Sequence, residues 1–241
     1  MELKGTRVVV VGGTSGIGLA TACLAAERGA RVVATGRSVE RIQRAAAAAP
    51  GVELRRLDAS DRAGSDELFA EVGPVDHLAI AASAGKGGGA FAGLDLEAVR
   101  AGFDGKFWPH LTTLQSSLSA LAPAASVVLV GSVSASSATP GTAGLAAING
   151  ALESIVPPLS LELAPVRVNA VAPGVIDTPW WDAFPEAERD AAFAGFAART
   201  PVGRIGTPED VAHAVCALFE NDFVTGVVLP VDGGLRLRGP G

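Results

Sequence analysis

Val8-Val9-Val10-Val11-Gly12-Gly13-Thr14-Ser15-Gly16-Ile17-Gly18 is the stretch that decides the fold. Four consecutive valines make a β-branched run of the kind seen when both faces of a strand are buried, as in the middle of a parallel sheet. Glycines then turn the chain, and Leu19-Ala20-Thr21-Ala22-Cys23-Leu24-Ala25-Ala26 continues as a helix. A strand, a glycine turn and a helix N-terminus in that order can hold a pyrophosphate. The glycines admit the backbone close to it, and unpaired helix N–H groups face its charge. The position between strand and helix distinguishes this turn from an ordinary tight one.

The same alternation repeats along the chain. Arg31-Val32-Val33-Ala34-Thr35, Val52-Glu53-Leu54-Arg55-Arg56-Leu57, His77-Leu78-Ala79-Ile80-Ala81 and Val127-Val128-Leu129-Val130 read as strands, as do Val166-Arg167-Val168-Asn169-Ala170-Val171 and Gly226-Val227-Val228-Leu229. Helices are expected up to Ala49, where Pro50-Gly51 stops one, and from a cap at Ser60 or Asp61 to near Val72. Others are expected over 94–121 with an interruption at Pro109, over 142–164, and over 208–219. This order predicts an α/β fold built on a doubly wound parallel sheet. No linker or repeat interrupts it, so residues 1–241 read as a single domain. Pro157-Pro158 falls inside an expected helix, where an interior proline costs ~3 kcal/mol, and predicts a kink or break.

The chain has 241 residues, nearly half of them apolar, and no tyrosine; it is long enough to bury a substantial core. A net charge of −6 argues against nucleic acid or an anionic membrane as the main partner and leaves a small molecule. Cys23 and Cys216 fall on apolar helical positions, which predicts two buried free thiols rather than a disulfide or a metal site. The first strand follows Met1-Glu2-Leu3-Lys4 too closely for a signal peptide, and no apolar run approaches membrane-spanning length, so a soluble cytoplasmic protein is expected.

Ordered along the sequence are Gly12, Gly16 and Gly18 of the turn, Asp58, Ala82-Ser83-Ala84-Gly85, Arg167-Val168-Asn169-Ala170-Val171-Ala172-Pro173-Gly174 with Val175-Ile176-Asp177-Thr178, and the late Gly203–Ala212 and Thr225–Gly234 segments. In this order they resemble the short-chain dehydrogenase/reductase family over essentially the whole length. The resemblance implies a Rossmann-like fold, a dinucleotide cofactor and a homo-oligomer, with a tetramer favoured. It implies cofactor contacts from Gly12, Thr14, Ser15, Gly16, Ile17, Gly18, Asp58, Ala59, Ala82, Ser83, Asn149, Pro173, Gly174, Ile176 and Thr178. Ala82-Ser83-Ala84-Gly85 is a degraded form of the family's Asn-Asn-Ala-Gly.

Charge argues for the choice of cofactor. A site for NAD keeps an acid at the end of the second strand, about 20 residues past the turn, for the ribose 2′-hydroxyl. Thr35-Gly36-Arg37-Ser38 stands there without a carboxylate, and Arg37 offers a forked partner for a 2′-phosphate. The expected cofactor is NADP, with Arg37 as a solvated helix-opening residue the plainer alternative.

The catalytic set departs from the family's asparagine, serine, tyrosine and lysine. Ser132 matches the serine, but the tyrosine position reads Leu145, the lysine position Asn149, and the asparagine position Lys106. Leucine transfers no proton. Lysine and asparagine look exchanged across the site, so Lys106, Ser132 and Asn149 are the expected catalytic residues; the alternative is a dead site with Lys106 on a helix surface. Lys106 is the best titratable donor, although its ordinary pKa near ~10.4 would have to fall. His110, His77 and His213 read as structural, and Ser134, Ser136 and Ser137 lack a neighbouring base.

The segment 178–200 corresponds to a substrate lid. Within it Trp180 and Trp181 suit a bulky apolar ketone or alcohol, and equally suit pinning the lid to the body. Ser134, Leu145, Trp180 and Trp181 are the expected substrate neighbours. Two functions follow: an NADP-dependent oxidoreductase with an atypical proton donor, or a catalytically inactive NADP-binding sensor or oligomer partner.

Overall fold

A computed structural model describes residues 2–238. Seven strands, β1 (Arg7–Val11), β2 (Arg31–Gly36), β3 (Val52–Arg56), β4 (Val75–Ile80), β5 (Leu121–Val130), β6 (Arg167–Pro173) and β7 (Val228–Val231), form one sheet in the order β3-β2-β1-β4-β5-β6-β7. All neighbours are parallel. The valine run explains why β1 lies in the middle. Val8 and Val10 point into one core, and Val9 and Val11 into the other. Helices α1 (Gly16–Glu27) and α9 (Pro208–Glu220) close the first core through Ala22, Ala25, Val211, Val215 and Phe219. Helix α3 (Arg62–Val72), capped by Asp61, helps close the second with Leu68 and Phe69. Helix α2 (Val39–Ala48) joins β2 to β3.

Two helical stretches break, for the same reason. The expected 94–121 helix is divided into α4 (Leu96–Gly105) and α5 (Phe107–Ser117), with the break at Lys106 rather than at Pro109. Pro109 has no N–H for the Gly105 carbonyl four residues back, so the ladder ends one turn early and the proline sits in the first turn of a new helix. Likewise α6 (Ala143–Ser154) stops at Ile155, and α7 (Val156–Glu162) takes Pro157 and Pro158 into its first turn. Strand β5 runs longer than its apolar tail Val127–Val130 implies, starting at Leu121 across a register irregularity against β4.

Two family-typical residues act as braces. Buried Arg167 donates to the carbonyls of Leu218 (2.8 Å), Phe219 (2.9 Å) and Val224 (3.1 Å), bringing positive charge to the C-terminal end of α9. Asn169 donates to the Val224 carbonyl and accepts from the Val227 N–H, tying β6 to the approach of β7. Of the two cysteines, both free, only Cys216 is buried, and its thiol is pushed up to about 12 by burial; Cys23 is half-buried in a groove between α1 and α9. No helix among the described residues is long and apolar enough to cross a membrane.

Candidate active site

The chain direction reverses across the sheet between β1 and β4, and there the C-terminal ends of the strands open into a cleft of about 1340 Å³. Every site residue expected from the sequence lines this one cleft, from Gly12 and Arg37 at one end to Lys106, Ser132, Leu145, Asn149, Trp180 and Trp181 at the other.

At the first end, Gly12 has φ +83°, and a β-carbon there would lie 2.8 Å from the Ala81–Ala82 peptide, so the turn can only be glycine. A β-carbon on Gly18 would strike the Gly12 carbonyl. Ser15 precedes α1 without capping it, and no acidic side chain occupies the first turn, so its N–H groups are free for an anionic ligand. Arg37 is largely exposed and stands 3.8 Å from Asp58, whose carboxyl is held below its ordinary range chiefly by the Ser60 hydroxyl. Ser38 and Arg41 line the same rim. Glu40, which the sequence reading passed over, is nearby but turned to the Ser38 hydroxyl at 2.6 Å. A dinucleotide fits this end. Among the described residues no cluster suited to a metal ion exists.

At the other end, the break between α4 and α5 turns Lys106 inward. Its Nζ donates to the Gly131 carbonyl at 3.0 Å, beside Ser132. Burial brings its pKa down to about 8, against the opposing pull of Glu153. Asn149 is buried; its Nδ2 donates to Ser134 Oγ (3.1 Å) and to the Leu145 carbonyl (2.9 Å), and its Oδ1 is left without a partner. Ser132 Oγ accepts from the Ser134 N–H at 3.2 Å. Lys106 and Asn149 thus line the same cleft with their hydrogen bonds made to different groups. Leu145, where the family resemblance places a tyrosine, faces Gly88, its side chain 3.6 Å from where a β-carbon on that glycine would stand.

Two polar residues lie behind this site, one read from the sequence as structural and one passed over. His110, expected on a helix face, is buried; its Nδ1 donates to the Lys106 carbonyl at 2.8 Å, and burial with the nearby ammonium holds its pKa down at about 3. Glu153 follows Leu145 and Asn149 at four-residue spacing on α6, and its Oε1 is buried without a hydrogen-bond partner. That spacing, with an acid on an otherwise apolar helix, was the available signal.

The lid consists of a 3-10 turn, Pro179–Ala183, followed by α8 (Glu186–Arg199). Its two tryptophans are placed differently. Trp181 packs edge-on to Phe193 and Phe196 and donates to the Ile176 carbonyl at 3.1 Å, pinning the lid. Trp180 is 40% exposed and lies over Gly85 at the cleft.

Residues 11–236 match the family described as enoyl-(acyl carrier protein) reductase. The 3-oxoacyl-[acyl-carrier-protein] reductase of Thermotoga maritima is 33% identical, with 98% of this chain and 99% of that protein covered. The chain belongs to the short-chain dehydrogenase/reductase family. An NADP-dependent (R)-specific alcohol dehydrogenase of Lentilactobacillus kefiri is also 33% identical, over 97% of both chains. The structure of a small-chain dehydrogenase in complex with NADPH superposes with a TM-score of 0.84 at 29% identity, covering 98% of this chain and 100% of the other. Family membership accounts for the seven-stranded sheet and for the position of the cleft.

Proposed function

We propose that this protein is an NADP(H)-dependent oxidoreductase that interconverts a ketone and a secondary alcohol with an apolar body, with Lys106 donating the proton where the family uses tyrosine. The observation that carries the reading is the inward-turned Lys106, seated on the Gly131 carbonyl beside Ser132 in the same cleft as the glycine turn. The relatives are reductases and dehydrogenases, and their NADPH and NADP ties agree with Arg37 at the cofactor end.

The glycine turn and the first turn of α1 would hold the pyrophosphate, Arg37 a 2′-phosphate, and Pro173, Gly174, Ile176 and Thr178 the opposite wall. Bound there, NADPH supplies the hydride. Reduction of a carbonyl builds negative charge on its oxygen, which calls for a fixed cation or a donor at that atom. Lys106 offers both. With a pKa near 8 it is largely protonated at neutral pH and gives up its proton more readily than an exposed lysine. The proton passes from Nζ to the substrate oxygen, and the neutral amine regains one from solvent. Ser132 orients the oxygen, buried Asn149 fixes Ser134 and the Leu145 carbonyl, and Trp180 covers the apolar body. The protein assembles as a homo-oligomer, supported by the half-exposed Val227 and Leu229 along the open edge of β7 and by Trp108 and Leu118 on the α5 side.

The test is consumption of NADPH against a panel of ketones graded in apolar bulk. Turnover by wild type and its loss in Lys106→Met support the reading; equal turnover in both overturns the role of Lys106.

A further inference from the structure

We propose that Glu153 is a positioning residue for Lys106: its carboxylate, with Oε1 buried behind Gly131, is the counter-charge that seats the ammonium on the Gly131 carbonyl. The two groups flank one residue. Lys106 Nζ holds the Gly131 oxygen at 3.0 Å, while Glu153 Oε1 lies 3.5 Å from where a β-carbon on Gly131 would stand. No direct ion pair joins them, and they act on each other electrostatically across Gly131.

The position of Glu153 is otherwise hard to account for. It is the penultimate residue of α6, where the negative end of the helix disfavours a second negative charge. Its Oε1 is cut off from water and bonded to nothing, and burial raises its pKa. A group so placed costs folding energy unless a cation offsets it, and Lys106 is the cation that acts on it. Among the described residues, Glu153 is the charge that acts on Lys106, and Lys106 the charge that acts on Glu153. From α5, His110 stays neutral; α4 contributes Asp104, which is exposed at the cleft; α6 contributes Asn149; and the segment after β5 contributes Ser132. The catalytic relevance rests on Lys106 being the proton donor, but the coupling itself can be read without a substrate.

Lysines 4, 86 and 106 are the only lysines in the sequence, so a carbon-13 lysine label gives three side-chain signals, and Lys106→Met identifies the one of interest. In wild type with NADP+ bound, the Lys106 signal should titrate at lower pH than the other two. Glu153→Gln removes the charge and keeps the shape; the Lys106 midpoint should then fall by about half a pH unit or more. Glu153→Asp should return most of that shift, which a merely space-filling role would not. A midpoint unmoved or raised in Glu153→Gln overturns the proposal; if that variant does not fold, an unchanged midpoint in Glu153→Met does the same. Absence of NADPH turnover in wild type would count against the proposed activity and leave the titration result intact.

Discussion

Trp180 is folded onto Gly85 so closely that a β-carbon on the glycine would run into the indole. Gly85 also has φ +64°, a conformation that costs an alanine about 1 kcal/mol. Gly85→Ala should therefore lower stability by about 1–2 kcal/mol and push Trp180 off the cleft. Tryptophan fluorescence would report the displacement. Substrate KM should rise several-fold while NADPH affinity holds, and an unchanged KM would remove Trp180 from substrate contact.

The role proposed for Arg37 is to hold the 2′-phosphate that separates the two cofactors. Wild type should bind NADPH at least tenfold more tightly than NADH, the difference made by one charge-assisted hydrogen-bond pair. Arg37→Ala should erase that preference by weakening NADPH alone. Equal affinities in wild type, measured by titration of both nucleotides, would refute it.

Lys106→Met keeps the length of the side chain and removes its charge. Turnover should drop by roughly two orders of magnitude, the range of a general acid, with NADPH binding little altered. Stopped-flow single turnovers would separate the chemical step from product release.

Two buried imidazoles make stability depend on pH. Burial holds His77, stacked on Phe219 at 4.9 Å, down to about 4, and His110 down to about 3. Unfolded, each takes up a proton near 6.5, so between these values the unfolded chain binds more protons. Their contribution is complete above about 6.5 and is lost as the pH falls towards 4, at up to ~1.4 kcal/mol per pH unit for each histidine. Urea unfolding of His77→Leu at pH 7 and pH 5 should show a smaller loss than wild type. Parallel losses would show that His77 is not responsible.

Light scattering at micromolar concentration should give the mass of an oligomer, a tetramer being expected. A charge on the open sheet edge, Leu229→Lys, should shift it to smaller species. A monomeric wild type would contradict the assembly.

The sheet was legible because a strand buried on both faces has no choice but to be apolar throughout, and Val8–Val11 are. The break at Pro157-Pro158 was legible because proline acts locally. The break near Pro109 was misplaced because the missing N–H is felt at Gly105, a turn earlier. Glu153 was passed over for a different reason. A single acid near a helix end looks solvated until Gly131, with Lys106 bonded to its carbonyl, is brought against it. Trp180 and Trp181 are adjacent and chemically identical, so only the packing of Phe193 and Phe196 against one of them assigns their tasks.

Strand β6 begins at Arg167, clamped to the end of α9, and finishes at Pro173 on the cleft, about 20 Å away. A rigid extended segment held at its heel transmits displacement to its toe. Leu218 and the cleft wall are thus joined by one continuous strand, with no ligand-facing side chain between them. Selectivity measured in Leu218 variants would show whether the rear of the molecule reaches the cleft through this strand.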